Sequence, residues 1–327
     1  MLIEIFLSGV LGFITTYLCI KWLIRYLRRI GMTVPDMNKE DKPLIPVSGG
    51  LAVMAGIFMG LMFFIFVQTF IYNNNSMSLG LFGAITTILL ITFIGFVDDS
   101  IIHRNSSSSS GLKQWQKPLL TIPAAIPLAV INVGFTKIKL PFFEVIDLGI
   151  IYPLIFIPIG IVVAANMVNI LAGFNGMEAG MGLIYTLSLG LYAYTHGSYI
   201  AAVIALVTFM ALLAFFIFNK VPAKILPGDS LTYLLGAIIA SIAILGNMEK
   251  VALFISIPFI IEFFLKFRAK FNANSYGYYK NGKIQSFYSK IYSLPHIFSR
   301  TGKYTEKQIT YFMIIIEVIF ASLIWFF

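Results

Sequence analysis

The sequence predicts an all-α polytopic membrane protein of about ten transmembrane helices, built as a single domain over residues 1–327. Composition is the first ground. The chain is 59% hydrophobic and 11% charged, with a mean hydropathy of +0.90. A soluble domain carries about 25% charged residues, so too few charges are present to cover a water-facing surface. The same figures exclude a disordered chain. Continuity is the second ground: the apolar residues form long unbroken runs, not the alternation of a transmembrane β-barrel. The third is the placing of Lys and Arg, which crowd every other loop.

A spanning helix needs about 20 mostly apolar residues. That window gives ten spans, at roughly 2–24, 50–71, 79–97, 118–134, 149–165, 177–195, 199–218, 231–246, 250–266 and 308–327. Gly and Pro inside several of them are tolerated better in a membrane than in soluble helices. The first run has no basic segment before it and no small-residue cleavage site after it, so it reads as a retained span. The single cysteine, Cys19, lies within that span, which leaves no disulfide framework and no cysteine-based zinc site. His103, His196 and His296 are too scattered to suggest a metal site by spacing.

The loops after spans 1, 3, 5, 7 and 9, with the adjoining helix ends, hold twenty of the 23 Lys and Arg residues. The opposite side holds only Lys137, Lys139 and Lys250. The positive-inside rule then puts both termini outside and the loops at about 25–49, 98–117, 166–176, 219–230 and 267–307 in the cytoplasm. The net charge of +9 is mostly this asymmetry and requires no nucleic-acid partner. The outer loops are short apart from about 135–148, so the active site is expected on the cytoplasmic face. Asn105–Ser110 reads as a flexible low-complexity insert. No internal repeat of the kind common in secondary transporters is visible.

Acidic residues at a membrane boundary are functional candidates because they are costly to bury. Asp98 and Asp99 close the third span, at the negative end of its helix dipole. Two adjacent carboxylates there call for a divalent cation, a lysine or a transferable proton; a solvated loop start is the alternative. Asn166 and Asn169 share a helix face at i and i+3, and Asn175-Gly176 is a turn signal. Clustered amides offer carbonyl oxygens to a metal and amide groups to a base or sugar, or they bond helix to helix. Asp229, in Pro227-Gly228-Asp229-Ser230, is either a helix cap or a Mg²⁺ ligand. Lys117 suits a phosphate or an acid as well as a snorkelling anchor, and Arg268 and Lys270 suit a phosphate as well as the positive-inside pattern. Ser48 precedes Gly49-Gly50, which permits close backbone approach at the second span. Hard oxygen ligands, a lysine, amides and cations on one membrane face suit phosphoryl chemistry between a nucleotide substrate and a lipid. No Gly-x4-Gly-Lys-Ser/Thr loop and no Gly-x-Ser-x-Gly elbow is present, which disfavours ATP-driven transport and esterase chemistry.

These motifs, in this order, resemble the polyprenyl-phosphate N-acetylhexosamine-1-phosphate transferases across nearly the whole chain. Asp36-Met-Asn-Lys39 with Ile45-Pro-Val-Ser-Gly-Gly50 is similar to that family's first cytoplasmic loop. Gly95-Phe-Val-Asp-Asp99 is similar to its aspartate pair, and Gly228-Asp-Ser-Leu-Thr-Tyr-Leu-Leu-Gly236 to its second metal motif. Asn166 to Gly180, NMVNILAGFNGMEAG, is the most specific match and lies close to the eukaryotic form.

The resemblance implies ten helices and a cytoplasmic, Mg²⁺-dependent site, with Mn²⁺ as the alternative ion. It implies Asn169 and Asp229 as metal ligands, Asp98 and Asp99 beside the attacking lipid phosphate, and Lys117 on phosphate charge or an aspartate. Asn175 and Gly176 would contact the uracil. Arg268, Lys270, Asn166 and Ser48 would serve the sugar and phosphates. The implied partners are a UDP-sugar, UDP-GlcNAc foremost, and a polyprenyl or dolichyl phosphate in the cell membrane; a homodimer is compatible with the family. The bacterial branch has a His-x-His-His type motif where only His296 stands, which points to the archaeal and eukaryotic branch. The eukaryotic enzyme has a glutamate where Val47 stands, an asparagine near Ile102 and an aromatic near Leu226, so sugar and uracil contacts are expected to differ. An aspartate acting as base and an aspartate acting as nucleophile both fit these residues. The alternatives are a transferase of cell-wall precursor synthesis and, from a different class, a carrier of lipid-linked or nucleotide sugars.

Overall fold

The apolar runs fold as helices. The computed structural model describes residues 1–104, 111–113, 115–132, 134–139 and 145–326, with the backbone alone at 102–104 and 139. The serine-rich run Asn105–Ser110 lies outside the described residues. The helices are α1 (Leu2–Arg29), α2 (Gly50–Phe66, extended by a π-turn over Val67–Ile71), α3 (Ser78–Arg104), α4 (Gln116–Ala124), α5 (Ile126–Ile131) and α6 (Ile157–Ile170, entered by a π-turn over Tyr152–Phe156). They continue as α7 (Met177–Thr195), α8 (Tyr199–Asn219), α9 (Gly228–Gly246), α10 (Glu249–Ile255), α11 (Ile257–Arg268), α12 (His296–Ser299) and α13 (Glu306–Leu323). Three antiparallel two-stranded hairpins interrupt them: β1 (Thr33–Pro35) with β2 (Leu44–Pro46), β3 (Lys137–Lys139) with β4 (Val145–Asp147), and β5 (Tyr278–Lys280) with β6 (Lys283–Gln285).

Among the described residues seven helices are long and apolar enough to cross a membrane: α1, α2, α3, α6, α8, α9 and α13, with their adjoining turns. The other three expected spans are helical but differ in form. The fourth breaks into α4 and α5 and the ninth into α10 and α11. Pro127 and Pro258 stand at the first turns of α5 and α11, where a missing N–H is tolerated and the preceding helix stops. The sixth, α7, is continuous over 19 residues, with polar and small residues diluting its apolar face.

α9 is the centre of the bundle. It packs against α3, α6 and α8, and every residue from Ser230 to Ala243 is buried. A helix apolar all round belongs in such a position. Small residues let its neighbours approach. A Cβ added at Gly236 would lie 2.2 Å from the Ala164 carbonyl oxygen of α6, and one at Gly95 of α3 would lie 2.4 Å from the Asp229 carbonyl oxygen. Backbone stands on both sides of that second contact, so Gly95→Ala must push α3 and α9 apart. The expected result is a loss of about 1–3 kcal/mol of stability together with reduced turnover, read by thermal unfolding and activity on the same preparation. Wild-type values for both would show that the helices absorb the methyl group.

Candidate active site

The site forms where the entrance of α9 meets the first loop and the end of α3. The segment before α2 runs beside the segment before α9: Leu226 N–H donates to Pro46 O at 2.8 Å, and Gly49 N–H to Leu226 O at 3.0 Å. This pairing holds Ser48 with φ of 82°, a strained conformation for a non-glycine residue. Ser48 Oγ then donates to Asp99 Oδ2 at 2.6 Å.

Asp98 and Asp99 are successive residues of one helix and so point to different neighbours. Asp99 is turned into α9. It accepts from Asp229 N–H at 2.7 Å and from Ser230 N–H at 3.2 Å, besides Ser48. It therefore caps the helix from another element, satisfying orphan N–H groups at its positive end. Gly228, at φ of 68°, makes room, since a Cβ there would lie 2.4 Å from Asp99 Oδ2. Asp98, also buried, faces the other way: it accepts from Leu112 N–H at 2.6 Å and pairs with Lys117 Nζ at 2.6 Å.

Lys117 is the junction. Its ammonium also donates to Asp229 Oδ2 at 2.9 Å, so one cation bridges two carboxylates. Asn169 Nδ2 donates to the same Asp229 oxygen at 3.3 Å, while Asn169 Oδ1 accepts from Thr232 Oγ1 at 2.9 Å. Five residues from four parts of the sequence thus meet: Asp98, Asp99, Lys117, Asn169 and Asp229, all among those expected.

Two cavities adjoin this junction. One, of about 210 Å³, is lined by Asp229, Thr232, Gly228, Asn175, Glu178 and Tyr276, with residues of the first loop. The other, of about 470 Å³, is lined by Lys117, Asn169 and Asn166 together with the rings of Trp115, Phe263 and Phe271. Asp229 belongs to the first and Asn169 to the second, and their hydrogen bond joins them. Between α6, the end of α9 and α10 lies a third cavity of about 300 Å³, lined mostly by apolar residues such as Val163, Ile239 and Leu253, with Glu249 on its wall.

The donor set fits a hard cation in one specific way. Among the described residues no group of three or more His, Cys, Asp or Glu side chains stands ready to hold a metal. Asp229 and the Asn169 carbonyl offer two oxygens, and Mg²⁺ typically takes one or two protein oxygens with substrate phosphates and water completing the octahedron.

Other expected residues stand elsewhere. Asn175 lines the first cavity, but its Nδ2 donates to Asp36 Oδ2 at 2.7 Å and its backbone is held by Glu306 and Thr310. Gly176 starts α7 in a left-handed conformation and lines a separate hollow with Lys220 and Lys307. Asn166 lines the aromatic cavity and donates to Val162 O at 2.8 Å. Arg268 and Lys270 are exposed at the end of α11 and line none of these cavities; Lys266 lines the aromatic one instead.

His296 is a buried stitch in the last loop. Its Nε2 meets Asn274 O at 2.9 Å and its Nδ1 accepts from Tyr292 N–H at 3.2 Å, the pattern of a neutral ring protonated on Nε2. Burial pushes its pKa down to about 4 from 6.5. Between those two values the unfolded chain binds a proton that the folded chain excludes, so stability rises with pH across the window and falls on acidification. In His296→Gln the fall in melting temperature from pH 6.5 to pH 4.5 is expected to flatten. An unchanged slope would remove His296 from this role.

A polar network also lies outside the expected set. Asp36, Asn38, Glu178 and Glu306 surround Asn175 and Gly173, and Lys39 pairs with Glu306. Asp36 and Glu178 stand inside the matched motifs, which was the available signal; Glu306 is the first residue of the last helix, which Thr305 caps, and carried none.

The chain matches the profile described as glycosyl transferase family 4 over residues 81–247. A protein of Sulfolobus acidocaldarius, carrying the name of a UDP-N-acetylglucosamine–dolichyl-phosphate N-acetylglucosaminephosphotransferase, is 35% identical over 98% of this chain and 95% of its own length. A Saccharolobus solfataricus protein of the same name is 34% identical over the same shares. A phospho-N-acetylmuramoyl-pentapeptide-transferase of Staphylococcus saprophyticus is 32% identical over 79% of this chain and 81% of its own. With a profile match across half its length and relatives alike from end to end, the chain belongs to glycosyl transferase family 4.

Proposed function

We propose that the protein transfers GlcNAc-1-phosphate from UDP-GlcNAc to a polyprenyl or dolichyl phosphate, giving a polyprenyl-diphospho-GlcNAc and UMP. The observation that carries this is the Lys117 ammonium held between Asp98 and Asp229 where a polar cavity meets an aromatic one. The names of the full-length relatives supply the sugar and the lipid.

The polar cavity takes the nucleotide, with its diphosphate toward Asp229. The aromatic cavity admits the lipid phosphate, and the apolar cavity between α6, α9 and α10 takes part of its chain. An oxygen of the lipid phosphate attacks the β-phosphorus, and the bond from that phosphorus to the UMP oxygen breaks. The sugar C1–O bond is untouched, so the anomeric configuration is kept. Mg²⁺, when bound, would be held by Asp229 and Asn169 with the substrate phosphates and would supply Lewis-acid and template chemistry. Lys117 carries positive charge to the oxygens that gain negative charge as the bond breaks. Asp98 holds that ammonium in place, and Asp99 fixes the backbone from which Asp229 projects.

In this reading the chain crosses the membrane ten times, with α4–α5, α7 and α10–α11 completing the seven long helices. Both termini lie outside and the site faces the cytoplasm, a reading that the twenty-to-three distribution of Lys and Arg supports. The test is purified protein in detergent with polyprenyl phosphate, Mg²⁺ and a panel of UDP-sugars, reading UMP and the lipid product by mass spectrometry. UMP with a GlcNAc-diphospho-lipid is the expected result. Product only from a UDP-muramyl-type donor would move the protein to cell-wall precursor synthesis. No UMP from any donor, in folded protein, would overturn the reaction and favour a carrier.

A further inference from the structure

Behind the turn that carries Asn175 lies a separate hollow of about 190 Å³. Its lining includes Lys220, Lys307, Phe216, Tyr311 and the Asn175-Gly176 turn, and holds no acidic side chain. Glu306, next to Lys307 in sequence, is turned inward onto Lys39 and the Asn175 backbone. Glu178, two residues after Gly176, is held by Gly173 N–H. Among the described residues neither Lys220 nor Lys307 forms an ion pair. Two unpaired ammonium groups therefore share one concave surface. The first turns of α7 and α13 border it, and the positive ends of both helices favour an anion.

The hollow stands at the end of two lipid-facing stripes. On α8, Leu213, Ile217 and Lys220 share a face at i, i+4 and i+7, and all three are exposed. On α13, Lys307, Tyr311, Ile315 and Ile319 share a face at successive i+4 steps, and all four are exposed. Both helices are long and apolar enough to cross a membrane, so exposed apolar side chains along them meet hydrocarbon. Each stripe closes on a lysine at the same membrane boundary, with the Tyr311 ring beside the hollow. Long cations and tyrosines hold that level because their stems sit in hydrocarbon and their heads in the headgroup layer. A free phosphate would reach the hollow from water and make no use of the stripes. A lipid with its phosphate in the hollow lays its acyl chains along them.

We infer that this hollow binds the headgroup of an anionic membrane phospholipid, with its phosphate between Lys220 and Lys307 and its acyl chains against α8 and α13. Neither Lys117 nor Asp229 lines the hollow, so the lipid bound here is a resident of the membrane rather than the acceptor substrate. The site nevertheless shares a segment with the polar cavity, since Asn175 lines both. Gly176, at φ of 79°, packs against the end of α8, where a Cβ would lie 3.2 Å from Lys220 Cα. Thr310 Oγ1 of α13 donates to Asn175 O at 3.1 Å. The turn is thus held between the two helices that carry the lysines.

The experiment titrates the full chain in detergent with phosphatidylglycerol or phosphatidylcholine and follows bound lipid by native mass spectrometry. The wild type is expected to hold a phosphatidylglycerol about 30-fold more tightly than phosphatidylcholine, the factor that two lysines contribute beside an anionic headgroup. Lys220→Gln with Lys307→Gln is expected to lose that preference at an unchanged melting temperature, and arginine at both positions to keep it. Lys280→Gln with Lys290→Gln removes the same charge from exposed positions of the last loop and is expected to leave the preference intact. An equal loss in that control would reduce the effect to net charge and overturn the inference. So would a wild type that holds both lipids equally. Glycerol 1-phosphate in excess is expected not to displace the lipid; displacement would make the ligand a free phosphate ester and overturn the lipid assignment. Displacement by an equal amount of polyprenyl phosphate would give the hollow to the acceptor substrate and overturn it as well. Should the paired glutamine variant not fold, the wild-type preference, the control variant and the two competitors still decide.

Discussion

Asp229→Asn is expected to reduce UMP release by about 1,000-fold or more in protein that still folds. The substitution is nearly isosteric. It keeps the α9 backbone, whose Asp229 and Ser230 N–H groups remain capped by Asp99. It removes the charge that faces Lys117 at 2.9 Å and the carboxylate oxygen offered to a cation. Lys117 would retain Asp98, so the local fold has a reason to survive. Turnover and melting temperature should therefore separate, with the first collapsing and the second moving by a few degrees. Ordinary turnover would remove Asp229 from the catalytic machinery and return it to the helix-start role that its position also allows.

Asp99→Asn should behave in the opposite way. Asp99 accepts three hydrogen bonds from protein groups and lines neither of the two cavities at the junction. Its loss of charge weakens a helix cap, and any fall in turnover follows from movement of Asp229. The two aspartates of the pair look equivalent as letters in a row. They differ because neighbouring residues on a helix face directions about 100° apart, and only the packing of α3 against α9 decides which one meets Lys117.

That distinction marks where the sequence stops being legible. The long helices are readable because twenty apolar residues in a row have one low-energy form in a membrane. The breaks at Pro127 and Pro258 were present in the sequence too, but a membrane helix tolerates proline often enough that the letter alone does not announce a break. The five residues of the junction were each identifiable from charge near a boundary and from the motifs around them. Their connections were not, since Lys117 and Asp229 are 112 residues apart and pair through tertiary packing. Arg268 and Lys270 entered the expected set through the resemblance; both side chains are exposed, while Lys266, earlier on the same helix, lines the aromatic cavity, a difference of side-chain direction that sequence position does not give.

Lys117→Met carries the second large effect, and it tests the logic of the junction. Removing the ammonium leaves Asp98, which is fully buried, and Asp229, one-fifth exposed, with no cation between them. Breaking a buried pair by deleting one partner costs about 3–5 kcal/mol; the partial exposure of Lys117 and Asp229 puts the expected loss near the lower end. In EDTA the melting temperature should fall by several degrees relative to wild type. Mg²⁺ should restore part of that loss, because a divalent cation can take the place between the carboxylates that the lysine held. Turnover should remain low even with Mg²⁺, since the positive charge held beside the leaving oxygens is gone. Lys117→Arg keeps the charge and should keep the stability, while its longer planar head misplaces the charge and lowers turnover. A Lys117→Met protein as stable in EDTA as the wild type would mean that Asp98 and Asp229 do not need a cation between them, and the bridging lysine would lose its place at the centre of the site.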